Sequence, residues 1–241
     1  MSDQSVKLLS LKSPSEFLKF LDSLSKISES AIITVDREKV SSLVSSPDST
    51  LILHASVDME SSFYDTLNIP HVKKLSRIID TVDSALDLTI NSNNIEYKGN
   101  GLKFKYHLFD EGFLTKPSLN LDKINAFEFD VEFDLTKDTL QRIYKGATFA
   151  SETNKIYFYA ENGKLMAELT DKSRHNTDNF GLQVADVDFE LNPIPINFDN
   201  VRLLTNISDA FKVRINTEFG VVVFETEAAG IKLKYIIFII T

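Results

Sequence analysis

Apolar positions along the chain follow two rhythms. Over residues 14–26 they recur at helical spacing, at Phe17, Phe20, Leu21 and Leu24. Over 137–150 they do so again, at Leu140, Ile143, Tyr144 and Ala147. Each set makes one apolar stripe on a helix. Ser13 before Pro14 predicts an N-cap followed by proline at the first helical position. Asp138 falls in the first turn of the other helix, where the dipole favours an acid. Further helices are predicted over 70–82 and 198–208. Elsewhere the period is two. Phe127, Phe129, Val131 and Phe133 point one way and Glu128, Asp130, Glu132 and Asp134 the other. Val187, Phe189 and Leu191 oppose Asp186, Asp188 and Glu190 in the same way. Short strands are predicted at 31–35 and 155–160, the second running into the turn Glu161-Asn162-Gly163.

These elements come in the same order twice, and the residues repeat with them. Gly101-Leu102-Lys103-Phe104-Lys105-Tyr106-His107-Leu108-Phe109 aligns with Gly230-Ile231-Lys232-Leu233-Lys234-Tyr235-Ile236-Ile237-Phe238, identical at five of nine positions. Residues 85–91 align with 210–216. Val72, Lys73, Leu75 and Ile78 align with Val201, Arg202, Leu204 and Ile207. Phe17, Lys19, Phe20 and Leu21 align with Leu140, Arg142, Ile143 and Tyr144, and Ile32-Ile33 with Ile156-Tyr157. The matches are collinear, at offsets between 123 and 129. The expected fold is α+β: two tandem copies of one unit, each with two helices packed on a large, curved, mostly antiparallel sheet. The expected boundaries are 1–110 for the first unit, 111–125 for a connector holding Gly112 and Pro117, and 126–241 for the second unit.

Composition narrows the function classes. The 241 residues include no cysteine, which excludes disulfides and thiol chemistry and fits a reducing compartment. The first twelve residues lack the apolar core of a signal peptide, and the apolar tail 235–240 is too short to span a bilayer. A soluble, cytoplasmic protein with no membrane partner is expected. The net charge of −9 opposes nucleic-acid binding unless the cations are gathered on one surface. They are gathered: the four predicted helices hold nine basic and five acidic residues, a net +4 in an acidic chain. Lys19 and Lys26 share a face; Lys73, Lys74 and Arg77 lie within one turn; Arg142 and Lys145 are three apart. All lie opposite the apolar stripes, a surface suited to phosphates rather than base edges.

No Gly-rich phosphate loop, nucleophile elbow or zinc spacing is present, so no catalytic residue, metal ligand or cofactor site is assigned. The histidines at 54, 71, 107 and 175 share no ligand spacing. The acidic runs 128–134 and 186–190 offer the one opening for a metal-dependent nuclease.

Two repeats of helix, strands, helix, strands resemble the DNA sliding clamps of the proliferating-cell nuclear antigen and tailed-bacteriophage type. The passages 17–35 and 135–167 and the closing strands 101–109 and 230–238 carry the resemblance, which covers nearly the whole chain. Chain length, acidity and the lack of cysteine look most like clamps of large bacteriophages, which would place the protein in the host cytoplasm. The resemblance implies a homotrimeric ring of six units. Edge strands of neighbours would pair, the helices would line the hole, and duplex DNA would pass through it. It implies a non-enzymatic replication factor that tethers a DNA polymerase and is loaded by an ATP-dependent clamp loader. The DNA-facing residues would be Lys12, Lys19, Lys26, Lys73, Lys74, Arg77, Lys137, Arg142, Lys145 and Arg202. The pocket for a partner's apolar peptide would take in Leu43, Leu51, Leu119, Leu121, Ile237 and Phe238. The chain departs from cellular clamps by ending at Thr241 without an acidic tail. A clamp-like factor that never closes a ring is the alternative.

Overall fold

A computed structural model of the chain describes residues 7–239, except 12, 13, 60, 62, 63, 83, 84 and 175. It divides into two compact units, Met1–Ser118 with Glu227–Leu233, and Leu119–Thr226 with Lys234–Thr241.

The first unit runs β1 (Lys7–Leu11), α1 (Pro14–Ile27), β2 (Ala31–Val35), β3 (Lys39–Ser45), β4 (Leu51–Asp58), β5 (Asp65–Ile69), α2 (Val72–Ile79), β6 (Leu86–Ile90), β7 (Asn94–Gly99) and β8 (Leu102–His107). After a short helix α3 (Leu121–Asn125), the second unit runs β9 (Val131–Thr136), α4 (Lys137–Gly146), β10 (Lys155–Glu161), β11 (Lys164–Leu169), β12 (Phe180–Asp186), β13 (Leu191–Asn197), α5 (Phe198–Arg202), β14 (Ala210–Asn216), β15 (Val221–Ala228) and β16 (Ile231–Phe238). From β1 and from β9 onward the two lists match element for element. So do the strand orders: β1-β6-β7-β8 answers β9-β14-β15-β16, and β5-β2-β3-β4 answers β13-β10-β11-β12. The duplication seen in the residues is a duplication of topology.

Each unit has the expected two helices on antiparallel strands, and those strands form two four-strand runs. In the second unit α4 touches β9 of one run and β11 and β12 of the other. The reason lies in α1 and α4 themselves. Phe17, Phe20, Leu21, Leu24 and Ile27 of α1 are all buried, a stripe wide enough to serve as core. On α4, Leu140 and Ile143 are buried, and so is Gly146. A Cβ on Gly146 would come within 2.1 Å of the Phe180 ring, so only glycine lets β12 approach the helix this closely. Thr136 caps α4 by accepting the Thr139 N–H at 3.1 Å, and Asn197 caps α5 by accepting that of Asp199 at 2.9 Å.

Several predicted elements move. The N-cap expected at Ser13 lies outside the described residues. Strand β1 precedes the first helix, where no strand was expected; Lys7-Leu8-Leu9-Ser10-Leu11 lacks clean alternation, and its pairing with β6 decides it. Helix α2 stops at Ile79, where Thr81 and Val82 N–H turn to carbonyls three residues back. Helix α5 ends at Arg202 instead of continuing to 208. The Thr205 N–H that would extend the ladder is taken by the Tyr235 hydroxyl at 2.9 Å.

The alternating run at 127–133 becomes a strand only from Val131, and 187–190 is not strand at all. Instead β13 runs through Pro193 and Pro195, which is possible because it is an edge strand and owes no N–H on its outer side. The Asn100-Gly101, Asn162-Gly163 and Ala229-Gly230 turns all have two consecutive positive φ angles, as two-residue hairpins between twisted strands require.

The tyrosine of each repeated Gly-x-Lys-x-Lys-Tyr strand ties a helix end down. Tyr106 Oη accepts the His71 N–H and donates to the His71 carbonyl, both at 3.0 Å, just before α2. Burial raises its pKa above the ordinary 10. Tyr235 instead catches the chain just after α5.

Candidate nucleic-acid interface

The helices place their cations where the stripe geometry requires. Lys19 and Lys26 on α1, Lys73, Lys74 and Arg77 on α2, Lys137, Arg142 and Lys145 on α4, and Arg202 on α5 are all exposed. Lys12 lies outside the described residues. Arg202 differs from the rest. Its guanidinium donates to Asp199 at 2.9 Å and lies 4.5 Å from the centre of the Phe198 ring, so its charge is partly spent within its own helix. The other eight enter no salt bridge among the described residues. An unpaired ammonium on a short helix costs nothing to leave in water and remains free for a phosphate.

Several strand cations differ, although Lys39, Lys98, Lys103 and Lys164 also enter no salt bridge among the described residues. Lys212 meets Glu132 at 2.6 Å, Glu225 takes both Arg214 at 2.9 Å and Lys234 at 2.8 Å, and Lys105 meets Glu96 at 3.1 Å. The Arg214 guanidinium also lies 4.4 Å from the Phe129 ring centre. Asp130 accepts the Thr217 N–H at 2.6 Å and its hydroxyl at 2.7 Å, and the first of these chiefly holds its pKa down. Asp130 and Glu132, the residues on which a nuclease reading would turn, are therefore committed to hairpin and cross-strand contacts. No group of three or more metal-ligating side chains gathers among the described residues. His71 pairs with Glu29 at 2.7 Å.

The six residues expected to form a peptide pocket fall in different environments. Leu43 is half-buried and lines a small cavity of about 80 Å³ with Ile32, Leu114 and Pro117 of its own unit. Lys116 donates to Thr34 Oγ1 at 3.1 Å, which lays connector residues 114–117 against β2 and β3. Leu119, Leu121 and Phe238 are half-buried in the second unit. Leu51 and Ile237 have no exposed surface and pack as core. Sequence reasoning missed a more accessible apolar feature of the second unit. Phe219 is 57% exposed and stacks on Phe127 with ring centres 4.6 Å apart and planes 8° from parallel. Ile239 donates its N–H to Gly220 beside it, at 2.8 Å. An aromatic residue in the four-residue turn at 217–220 was the available signal, since turns seldom bury their tips.

No family model matches the sequence, and neither does any curated protein. Solved structures do match. The chain superposes on one described as the C-terminal region of FEN-1 bound to A. fulgidus PCNA, with a TM-score of 0.73 at 11% identity, covering 98% of each chain. It superposes on proliferating cellular nuclear antigen from Entamoeba histolytica with a TM-score of 0.74 at 14% identity, over 98% of this chain and 99% of that one. The chain has the sliding-clamp fold. It also aligns over its full length with 68% of the Helicobacter pylori beta clamp, at a TM-score of 0.71 and 14% identity. What is shared across these sliding clamps at 11–14% identity is the fold. Within that fold helices α1, α2 and α4 present eight exposed cations that enter no salt bridge among the described residues. No helix among the described residues is long and apolar enough to cross a membrane.

Proposed function

We propose that this protein is a DNA sliding clamp: a homotrimeric ring that encircles duplex DNA without reading its sequence and tethers the replicative polymerase. One observation carries the reading. A chain with the sliding-clamp fold and a net charge of −9 sets eight cations on the exposed faces of α1, α2 and α4, none of them in a salt bridge among the described residues. Few, unpaired, sequence-blind phosphate contacts give a hold that is weak at any one position and therefore mobile. The strands' acidic faces then form the outside of the ring, and a loader driven by ATP opens and closes it. The free strand edges β8 and β12 are the surfaces through which neighbouring copies join. The partner peptide docks at the exposed Phe127–Phe219 stack, with Leu119 and Leu121 nearby in sequence and Phe238 next to Ile239, which bonds Gly220. The A. fulgidus neighbour, described as carrying a segment of FEN-1, supports a role of this kind.

The test is retention on circular DNA. The loaded protein should stay on a closed plasmid and slide off when the plasmid is linearised. Replacing Lys19, Lys26, Lys137, Arg142 and Lys145 by alanine should shorten retention without changing the assembled mass. Equal retention on linear and circular DNA would overturn the encircling mode, and a solution mass fixed at that of one 27.2 kDa chain would overturn the ring.

A further inference from the structure

Equivalent sheet faces of the two units receive an ammonium group by different routes. Thr34 on β2 and Tyr159 on β10 hold the same place, each half-buried and three residues before a two-residue turn. In the first unit, connector residues 114–117 lie on this face, with Leu114 and Pro117 half-buried in the cavity that Ile32 and Leu43 also line. Between those two residues, Lys116 donates its ammonium to Thr34 Oγ1 at 3.1 Å. In the second unit the ammonium comes from the loop after β11. Lys172 Nζ lies 4.7 Å from the Tyr159 ring centre, 5.0 Å from that of Tyr157 and 2.9 Å from Glu168. Tyr157 and Tyr159 alternate on β10 and so share a face. On that face Tyr157 stands between Pro195 and Glu168, and Tyr159 stands opposite Met166. Tyr159, Met166 and Pro195 are all half-buried, which leaves apolar surface in water beside a carboxylate.

We propose that the Tyr157–Tyr159 face of the second unit docks an extended segment of a partner protein, in which a lysine or arginine stands between an aliphatic residue and a proline. Lys172 swings aside as the partner's cation takes its seat. The repeat itself indicates the occupant. In the first unit this face already carries such a segment, Leu114-Thr115-Lys116-Pro117, with the lysine over the residue equivalent to Tyr159. In the second unit two ring faces and the Glu168 carboxylate select a cation in the same place. The Lys172 side chain is 39% exposed, so releasing its ammonium to water costs little. A docked segment adds what a single lysine lacks, an aliphatic and a proline side chain to cover Met166 and Pro195. The face belongs to the second unit alone, so the proposal stands apart from ring closure and from the docking at Phe127 and Phe219.

The chain has 3 methionines, and Met166 pairs with Tyr159, so a methyl-labelled methionine reports on this face directly by NMR. The probe is a free peptide with the connector sequence of residues 112–118. Added to the full chain, it should shift the Met166 methyl signal in a saturable way, with a Kd on the order of 1 mM for so short a segment. The same peptide carrying Lys116→Met should lose most of that binding. The protein variant Lys172→Met, whose own cation no longer competes, should bind the unchanged peptide roughly 2-fold to 5-fold more tightly. A Met166 signal that stays in place with both the wild type and Lys172→Met overturns the proposal. So does equal binding of the two peptides, which would leave the cation without a role. Should Lys172→Met unfold, the two peptides on the wild type decide alone. Neither failure touches the clamp reading, which retention on circular DNA tests separately.

Discussion

The first unit covers the outer side of β2 and β3 with connector residues 114–117, pinned by Lys116 on Thr34. Among the described residues no connector covers the equivalent strands of the second unit in this way. There Lys172 lies over Tyr157 and Tyr159, at 5.0 and 4.7 Å from the ring centres, and pairs with Glu168 at 2.9 Å. The free edges differ as well: β13 is blunted by Pro193 and Pro195, whereas β5 is met by Phe109, whose N–H donates to the Asn68 carbonyl at 3.0 Å. Helix α2 offers three unpaired cations, and α5 offers one arginine already held by Asp199. Two copies of one topology have therefore kept their buried positions and diverged on their surfaces. Burial constrains volume and polarity at each site, while a solvated face accepts many solutions.

The comparison can be broken at four points, from the largest effect to the smallest. The cores should fail independently. Phe20 and its counterpart Ile143 are both buried, and Phe20→Ala should cost about 3–5 kcal/mol and Ile143→Ala about 2–5 kcal/mol. Calorimetry should show each variant lowering one transition more than the other; a single transition lowered equally by both would mean that the units unfold as one.

Gly146 and its counterpart Ser23 should behave oppositely. Gly146→Ala drives a methyl into the Phe180 ring and should cost about 1–3 kcal/mol. Ser23→Ala loses only a hydroxyl bonded to the Lys19 carbonyl and should cost less than about 1 kcal/mol by urea denaturation. The paired tyrosines should also differ. Tyr106→Phe strands the part-buried His71 N–H and removes a donor to the His71 carbonyl, for about 1–3 kcal/mol, whereas Tyr235→Phe, which releases the Thr205 N–H, should cost about 1 kcal/mol.

The smallest effect is in acid. Asp48 and Asp171 occupy equivalent loops, and each accepts a serine hydroxyl at 2.6 Å, from Ser46 and Ser173. Both pKa values are lowered from an ordinary 3.8; that of Asp171, which also takes the Ser173 N–H and Lys155, falls to about 2. A carboxyl lowered in the folded state stabilises it fully above its unfolded pKa. That contribution fades as pH falls from about 3.8 toward about 2. Asp171→Asn should flatten the acid limb of the stability curve more than Asp48→Asn; equal slopes would show that the two carboxyls are held down alike.

Much of this was legible in the residues. The stripes at Phe17–Leu24 spacing and at Leu140 and Ile143 mark α1 and α4, because an apolar face at the helical period has only one way to be buried. The aligned Gly-x-Lys-x-Lys-Tyr strands mark β8 and β16. The exposed cations of α1, α2 and α4 stand where the same periodicity puts them. The ends of α2 and α5 were not legible, since Thr205 leaves the helix for a tyrosine thirty residues away. Nor was β13, because proline forbids a strand only where a neighbour needs its N–H, and edge position is a property of the whole sheet.

By itself, then, the sequence determined the two-fold repeat, the buried stripes and the gathering of cations on helices in an acidic chain. These follow from local periodicity, which each segment carries in its own residues. Only the tertiary structure decided that each unit holds two strand runs, that Arg202 is partly engaged by Asp199, and that Leu51 and Ile237 are core. Those outcomes depend on which distant segments meet, and no local period encodes that.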